Sequence, residues 1–507
     1  MCITNVPAFN LELAAVRVRI EFDFLRPQPR MSGGNAKMIA GQNATMKNLP
    51  TKLVRCLAGV SLTRQAQLIA VATIAVAAWH VPMVHAAGKD LKTNYPASTK
   101  TSELQTTVTS PARARPADYH FDNTISREVL ENYLSRSITM EGMLNGRGDL
   151  QDNIRMLRSI GAKYIGRALC LWGAEANFLY DIERARAEIP QVLAADSEMI
   201  MEACVFETVS PKVNEIAIPD WVFSALGQPV EKRNFRYDNM IYPEGQRRPM
   251  GRNAQVPDES RPETQLWFCY QAVSYINIGC EAIHFGQVEI MNKNDRDNAH
   301  WERLLTLVRD YASKHARRHM VLRNGHVPTC GLMRNGNPLL DFHAFPLRVM
   351  EVPGKPQEAI LKAGFTDGIY GRSKGGLTFS GWSCDHLPYL VELDNYGVSR
   401  HPGQPNATGE FNWVWGYDEI TWFAHQTKTY RANWLQYAWD WVRKTDPNGY
   451  LQMPGSRTMT SPLDNMRWYF ANTPSPAVPN GLGDEEAIRT IWAAEAARLA
   501  QPRPPRP

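Results

Sequence analysis

The chain has 507 residues, with 56 Lys and Arg against 51 Asp and Glu and a net charge of +5. Beyond the N-terminal region it carries no dense run of basic residues, so the composition does not indicate a nucleic-acid partner. The cysteines are widely spaced and include no CxxC pair, which argues against a metal cluster or redox motif, although an oxidising compartment would permit one or two disulfides.

The N-terminal region is typical of an exported protein. Leu68–Trp79 is an apolar run that follows basic residues and precedes small residues around Ala86, as in a signal peptide. The run is shorter than the roughly 20 residues that cross a bilayer, so we expect cleavage, a periplasmic or extracellular protein and no stable membrane span. Residues 1–86 are assigned to an export signal with an overextended start, because Met38 or Met46 would begin a more ordinary precursor.

Composition also marks the limits of the folded part. Residues 87–117 are rich in Thr, Ser, Pro and Ala without apolar periodicity, and are predicted to be a linker. Residues 118–495 are predicted to form a single domain. The stretch 496–507 is predicted to be a disordered tail, because its prolines are incompatible with a helix or a central strand.

Short apolar segments alternate with longer amphipathic segments across that domain. Strands are predicted at 163–172, 199–207, 283–291, 319–327, 339–345, 364–371, 388–395 and 449–454. Helices are predicted at 150–161, 180–194, 265–278, 301–315, 355–363 and 420–444. This alternation predicts an α/β fold, a (βα)₈ TIM-like barrel with residues 210–263 as a long insertion after the second strand. An open doubly wound sheet is the alternative, but no glycine-rich phosphate loop opens a helix.

Polar residues concentrate where the predicted strands end, which is where a (βα)₈ barrel has its active site. Residues two apart on a strand point to the same face. The pairs that would point inward together are Gln287 with Glu289, Asp341 with His343, and Glu392 with Asp394. Ionised groups are rarely buried unless they are paired or functional, so these strands predict a polar site.

Glu289 and Glu392 are the predicted catalytic residues. Glycoside hydrolysis uses two carboxyl groups that flank one bond, one of which protonates the leaving oxygen while the other attacks or activates water. The alternative is a purely structural layer of ion pairs, in which Arg167, Arg323 or Arg348 neutralises these acids.

With these strands and carboxylates, residues 145–460 resemble the TIM-barrel glycoside hydrolases. In that superfamily a Glu late on one strand serves as acid/base and a Glu on the seventh as nucleophile. The resemblance implies these roles for Glu289 and Glu392, and a carbohydrate substrate. The large retaining clan usually has an Asn-Glu pair on its fourth strand, whereas Gln287-Val-Glu289 falls on the predicted third. The strings GQVEIM, DFHAFP and ELDNYG also resemble those of uncharacterised secreted bacterial proteins.

Further residues are predicted to bind the substrate. Groups expected to hold hydroxyls or support the acids are Gln287, His326, Asp341, His343, Tyr370, Asp394 and Asn395. Rings expected to stack on sugar faces are Trp382, Trp413 and Trp415, the last two alternating with Tyr417. Asp418 and Glu419 are instead expected to begin a helix, where they favour its dipole.

Two other functions stay open at this stage. A metal-dependent hydrolase would draw on strand-end histidines and aspartates, namely His284, His326, His343, His386, Asp341, Asp367 and Asp394. No HxH or HExxH spacing appears, so the leading prediction includes no metal and no organic cofactor. A non-catalytic carbohydrate-binding protein would keep the aromatic residues and lose one carboxylate.

Overall fold

Parallel strands and helices alternate along most of the chain. The computed structural model describes residues 117–251, 253–365, 368–406 and 413–499, and all of these lie within one compact unit. None of the helices in these ranges is long and apolar enough to span a membrane. The export signal, the linker up to residue 116 and Asp367 lie outside the described residues.

The helices of the described chain are α1 Arg127–Leu134, α2 Leu150–Ile160, α3 Phe178–Ala195, α4 Asp220–Ala225, α5 Pro262–Ile278, α6 Val288–Met291, α7 Ala299–His315, α8 Glu419–Ala424, α9 Lys428–Thr445 and α10 Glu485–Leu499. The longer strands are β1 Ser137–Met140, β2 Tyr164–Leu169, β3 Ile200–Cys204, β4 Ala282–His284 and β5 Leu322–Asn324. The four-residue strand β8 spans His343–Pro346. It is preceded by the short strands β6 Met333–Arg334 and β7 Asn337–Pro338, and followed by the short strands β9 Met350–Glu351, β10 Ala359–Ile360, β11 Gly376–Leu377 and β12 Ser383–Cys384. The last strands are β13 Tyr389–Glu392, β14 Gly449–Leu451, β15 Met453–Leu463 and β16 Met466–Phe470.

Two parallel sheets form the centre of the molecule. The larger has the order β16-β15-β1-β2-β3-β4-β5, in which only β16 is antiparallel to its neighbour. The smaller has the order β14-β13-β8 and is parallel throughout. A parallel bridge pairs His326, just after β5, with Ala344 in β8, and Gln452 alone separates β14 from β15. The predicted α/β class with a central parallel sheet is confirmed.

Several predicted elements are corrected. Strand β1 was not predicted. The predicted strand 283–291 ends at His284, and Glu289 lies instead in the short helix α6. The described parts of 364–371 contain no strand, and 355–363 contains β10 instead of a helix. The predicted helix 420–444 is interrupted at 425–427, where Thr427 caps α9 by accepting a hydrogen bond from the Tyr430 amide.

Two apolar clusters occupy opposite sides of the strands. The larger fills the space between strands and helices, with residues such as Ile165, Met201 and Val205 packed among helix residues. The smaller covers the amino ends of the strands, where Leu130, Tyr133 and Leu134 of α1 join the first or second residues of several strands. Those strand residues are Tyr164, Ile200, Ala282, Leu322, Leu390 and Tyr450. The carboxyl ends of the strands are therefore where polar groups collect.

Candidate functional site

Glu392, the last residue of β13, is held by a buried arginine. Arg167 Nε donates to both carboxylate oxygens at 2.9 and 3.1 Å, and Nη2 also donates to Oε1. Only 3% of Glu392 and 6% of Arg167 are exposed. Arg167 has a left-handed backbone, with a φ of 54°. It lies between Ile165 and Leu169, where the register between β2 and β3 shifts. This irregularity interrupts the ordinary alternation of β2 at the residue that binds Glu392.

Other groups complete the surroundings of Glu392. Thr139 Oγ1 donates to Oε2 at 3.2 Å, Arg457 Nη1 lies 3.5 Å from Oε2, and His326 Nε2 lies 3.6 Å from Oε1. Burial would raise the pKa of Glu392, but the charges of Arg167 and Arg457 and the hydrogen bonds that it accepts hold the pKa well below its usual range. Glu392 is therefore an ionised carboxylate.

Arg457 of β15 joins this pair to the next acidic group. Its Nη2 donates to Asp394 at 2.6 Å and to Asn395 Oδ1 at 3.1 Å, while Nε lies 3.7 Å from Glu141. Burial would raise the pKa of Asp394, but the charge of Arg457 outweighs it and the pKa is lowered. Two arginines and two carboxylates thus form one charged cluster, the carboxyl-end cluster, comprising Arg167, Glu392, Asp394 and Arg457.

A buried hydrogen-bond chain lies beside this cluster. Glu202 accepts from the Tyr164 hydroxyl at 2.5 Å, the Arg167 amide at 2.8 Å and Asn324 Nδ2 at 2.7 Å. Because the Asn324 amide nitrogen is a donor here, its Oδ1 accepts from His284 Nδ1, at 2.6 Å. His284 Nε2 is thereby left as an acceptor, and among the described residues it has no hydrogen-bond partner.

Burial and the nearby positive charge of Arg167 keep the pKa of His284 well below its usual range. The ring is therefore neutral, and the unpaired lone pair of its buried Nε2 is suited to accept a hydrogen bond from a hydroxyl group. The His326 ring lies 4.9 Å away.

Glu289 reaches the same edge by a different route. Its carboxylate accepts from the amide of Thr329 at 3.1 Å and from the Thr329 hydroxyl at 2.6 Å. Burial raises the pKa of Glu289, against the lowering effect of these hydrogen bonds. Thr329 is three residues after His326, which contacts Glu392, and three residues span at most about 11 Å. Segment 326–329 therefore carries contacts to both predicted catalytic carboxylates.

Gln287 lies beside Glu289 but does not share a strand face with it. Its amide and Nε2 donate to the two oxygens of Glu207, at 3.0 and 2.9 Å. The preceding Gly286 has a φ of 58°, and an added Cβ there would lie 2.1 Å from Glu207 Oε2. This glycine turn ends the extended chain, so the predicted alternation of Gln287 and Glu289 does not apply.

Aromatic rings flank the carboxyl-end cluster. Trp172, just beyond β2, is 46% exposed and meets Phe206 edge-on, with centroids 5.2 Å apart. The Phe206 ring lies 5.6 Å from Arg167 Cζ. Beyond Glu392, the Tyr396 ring stacks on Trp413 at 5.2 Å. Trp172 and Phe206 were not predicted, because an apolar ring at a strand end gives no polar signal, although Trp172 ends a predicted strand.

Three of the predicted substrate-binding residues are held elsewhere. Asp341 binds Arg323 and Arg309, and Arg323 also donates to the carbonyl of Leu305 in α7, which places this set between β5 and α7. Tyr370 packs against Trp441 of α9, with centroids 4.9 Å apart.

His343, the third of them, is buried with Nδ1 3.1 Å from Ser373 Oγ. Burial lowers its pKa to about 3, so the ring is neutral. His386, a predicted metal ligand, has Nδ1 2.7 Å from the carbonyl of the same serine. Within the described ranges, no group of three or more His, Cys, Asp or Glu side chains is arranged to hold a metal ion.

The predicted stacking platform is not formed. Trp415 is 3% exposed and donates its indole N–H to the Glu358 carbonyl at 2.8 Å. Val414 and Tyr417 pair across a tight turn, so the alternation assumed for an extended segment is wrong. Trp382 donates to the Ile125 carbonyl and packs on the smaller apolar cluster, at the amino ends of the strands.

Asp418, which follows this turn, accepts a hydrogen bond from the Thr421 amide at 2.9 Å and caps α8. Its predicted position at a helix start is confirmed. Glu419, the first residue of α8, pairs with Arg348 at 3.0 Å, whereas the structural alternative named that arginine as a partner of the predicted catalytic acids.

Comparisons with known proteins give only distant structural likenesses. No known family's sequence profile matches the chain, and no curated protein matches it. A debranching enzyme from Nostoc punctiforme is similar at 11% identity over 78% of this chain and 80% of that one, with a TM-score of 0.36. The glycoside hydrolase domain of PelA from Pseudomonas aeruginosa is similar at 9% identity, over 47% and 78%, with a TM-score of 0.20.

The GH36 alpha-galactosidase AgaA from Geobacillus stearothermophilus is similar at 13% identity over 38% of this chain, with a TM-score of 0.21. The chain spans 30% of the length of that galactosidase. None of these three likenesses has a TM-score above 0.36.

Proposed function

We propose that the parallel strands close into an eight-stranded barrel whose carboxyl ends form the active site. Support comes from the two links between the sheets, the His326–Ala344 bridge on one side and the β14–β15 continuation through Gln452 on the other. In sequence, the eight segments are β1, β2, β3, β4, β5, β8, β13 and the continuous β14–β15. Counted this way, Glu289 follows the fourth strand and Glu392 ends the seventh.

On this frame, the protein is an exported enzyme that hydrolyses glycosidic bonds of a carbohydrate. The observation that carries the proposal is that one segment, 326–329, contacts the carboxylates of both Glu289 and Glu392, beside aromatic rings. Trp172 offers an exposed face for stacking on a sugar ring. Asp394, Asn395 and His326 remain proposed supports for substrate hydroxyls or for the acids.

The two carboxylates have environments suited to different roles. Burial raises the pKa of Glu289, which favours a proton donor to the leaving oxygen. Arg167 and Arg457 keep Glu392 ionised, which favours a negative charge facing the positive charge that develops on the sugar. No step requires a cofactor.

The test is whether the full chain hydrolyses any of a panel of polysaccharides and nitrophenyl glycosides. Hydrolysis is monitored by the release of reducing ends. Glu289→Gln should lower kcat by about 10²–10⁴-fold, with an unchanged circular dichroism spectrum. Glu244→Gln, at an exposed loop position, is the matched control and should leave kcat unchanged. Full activity of the Glu289→Gln protein would overturn the assignment.

A carbohydrate-binding protein without catalysis is the second candidate. It is favoured by the enclosure of Glu392, whose oxygens are all engaged by Arg167, Arg457, His326 and Thr139. This candidate would be supported over the enzyme if calorimetry shows that the protein binds an oligosaccharide that it does not cleave. Trp172→Ala should then weaken the binding, and Trp221→Ala should not. Trp221 is the control because it is also partly exposed, at 38%, and lies in α4.

A further inference from the structure

Cys170 and Cys204 lie side by side at the carboxyl ends of β2 and β3. Leu169 and Ala203 are partners in the register of these parallel strands, and each cysteine follows its partner residue by one position. Adjacent strands are about 4.7–4.9 Å apart. That spacing falls within the range of about 4.4–6.8 Å between Cα atoms that a disulfide requires.

The two thiols also influence each other, because the neighbouring Cys170 side chain raises the pKa of Cys204, and both cysteines are free. Cys204 lies on the same strand face as Glu202, two residues earlier, and is fully buried. Cys170 is only half-buried, so it is the more accessible cysteine of the pair.

We propose that Cys170 and Cys204 are a disulfide-forming pair that is oxidised by a small-molecule disulfide such as oxidised glutathione. The Cys170 thiolate attacks one sulfur of the reagent, forms a mixed disulfide and releases one glutathione thiolate. The Cys204 thiolate then attacks Cys170 Sγ, forms the intramolecular S–S bond and releases the second. The protein loses two electrons and two protons, and the reagent becomes two thiols.

The partly exposed cysteine reacts first and the buried one completes the bond. Burial raises the pKa of Cys204, and only a thiolate attacks, so the second step is the slower one. The product would tie together the two strand ends that continue into Trp172 and Phe206. This inference is independent of the proposed hydrolysis.

Peptide mapping tests the proposal directly. Trypsin places the two cysteines on separate peptides, 168–184 and 187–212, neither of which contains another cysteine. The folded full chain is incubated with oxidised glutathione, alkylated, denatured, alkylated again and digested. The expected result is a cross-linked pair of these peptides that disappears on reduction, with two fewer alkylated thiols per chain. Recovery of both peptides alkylated, or of Cys170 only as a glutathione adduct, would overturn it.

Single substitutions distinguish disulfide formation by this pair from reactions of the other cysteines. Cys384→Ser, at another half-buried cysteine, should leave the cross-linked peptides unchanged, whereas Cys170→Ser should abolish them. Oxidation should also raise the Tm of the wild-type chain, because the closed loop restricts the unfolded state, and should leave the Tm of Cys170→Ser unchanged. An equal rise in Tm for both proteins would contradict the proposal.

Discussion

At the scale of single residues, the ion pair between Arg167 and Glu392 organises the carboxyl-end cluster. A buried carboxylate that loses its partner remains as an uncompensated charge, which costs far more than an exposed pair is worth. Arg457 and His326 lie farther from the Glu392 oxygens, at 3.5 and 3.6 Å, and replace Arg167 only in part.

Arg167→Ala should therefore lower the free energy of unfolding by about 3–5 kcal/mol, measured by urea denaturation at neutral pH. Arg155→Ala is the control, because Arg155 is 45% exposed in its pairs with Asp152 and Glu485 and should cost about 0–1 kcal/mol. Equal losses for the two variants would show that the buried pair is no more important to stability than the surface pair.

A second residue gives the stability a dependence on pH. Glu259 is fully buried beside Asp295, and burial, with the negative charge of Asp295, raises its pKa to about 9 from the ordinary 4.5. The folded state therefore binds this proton more tightly than the unfolded state does. The contribution of this proton to the free energy of unfolding is fully present below pH 4.5 and is lost as the pH rises toward about 9.

Glu259→Gln keeps the shape of the side chain and removes the titration. Between these pH values the stability of the wild type should fall more steeply than that of the variant, by up to about 1.4 kcal/mol per pH unit. Urea denaturation from pH 5 to pH 8.5 measures both slopes, with Glu244→Gln as the exposed control. Parallel slopes for all three proteins would rule out a protonated Glu259.

At the scale of elements, sequence patterns predicted most of the long helices, although not α10, and most central strands, because periodicity and capping act locally. Asp149 caps α2 and Gly161 ends it, and both signals can be read in the sequence. β1 has only four residues, all buried, which is too short to show an alternation. Its partners are β2 and β15, and the latter is too far along the chain for any local pattern to reveal.

The positions of candidate site residues were predicted correctly on strands that continue straight to their ends. They were predicted wrongly where a turn interrupts the strand. Glu392, Asp394 and His326 were selected as strand-end residues, and the structure brings them together. Glu289 reaches that edge only through α6, after the turn at Gly286. Asp341 precedes β8 and binds two arginines, a set that no strand periodicity could assign.

Gly286 tests the importance of that turn. Gly286→Ala combines a left-handed backbone with a Cβ that would lie 2.1 Å from Glu207 Oε2, so Glu207 and its bonds to Gln287 must shift. Gly227→Ala is the control, since its φ is 64° and nothing lies within 4 Å of the added Cβ. We expect a loss of about 1–2 kcal/mol for the control from the backbone alone and a larger loss for Gly286→Ala, measured by urea denaturation. Equal losses would contradict a packed turn.

At the scale of the whole molecule, the arrangement is polarised. The smaller apolar cluster and α1 cover the amino ends of the strands, while the charged groups lie at the carboxyl ends. Composition and alternation predicted this α/β arrangement, but could not specify which residues close the amino ends, because that packing joins α1 to strands from the entire chain.

The proposed export is also a property of the whole chain. In a bacterial host, the full chain should appear outside the cytoplasm with a new N-terminus close to Ala86, as determined by N-terminal sequencing. Replacing Ala70 and Ala75 by Arg within Leu68–Trp79 should retain the protein in the cytoplasm, because a signal peptide needs an apolar core. Ser98→Arg, in the predicted linker, is the control and should be exported. Cytoplasmic retention of the unaltered chain would refute the assignment.

The pairing of β1 with β15 has a consequence for how the chain is made. Ile138 is the partner of Met453, so the backbone groups on one side of β1 have no strand partner until β15 has been synthesised. A nascent chain that lacks β14 and β15 exposes the free edges of both β1 and β13, which can pair with other molecules. Late completion would leave part of the precursor incompletely folded during synthesis, which would favour the proposed transport across a membrane and make holdase chaperones important to its yield.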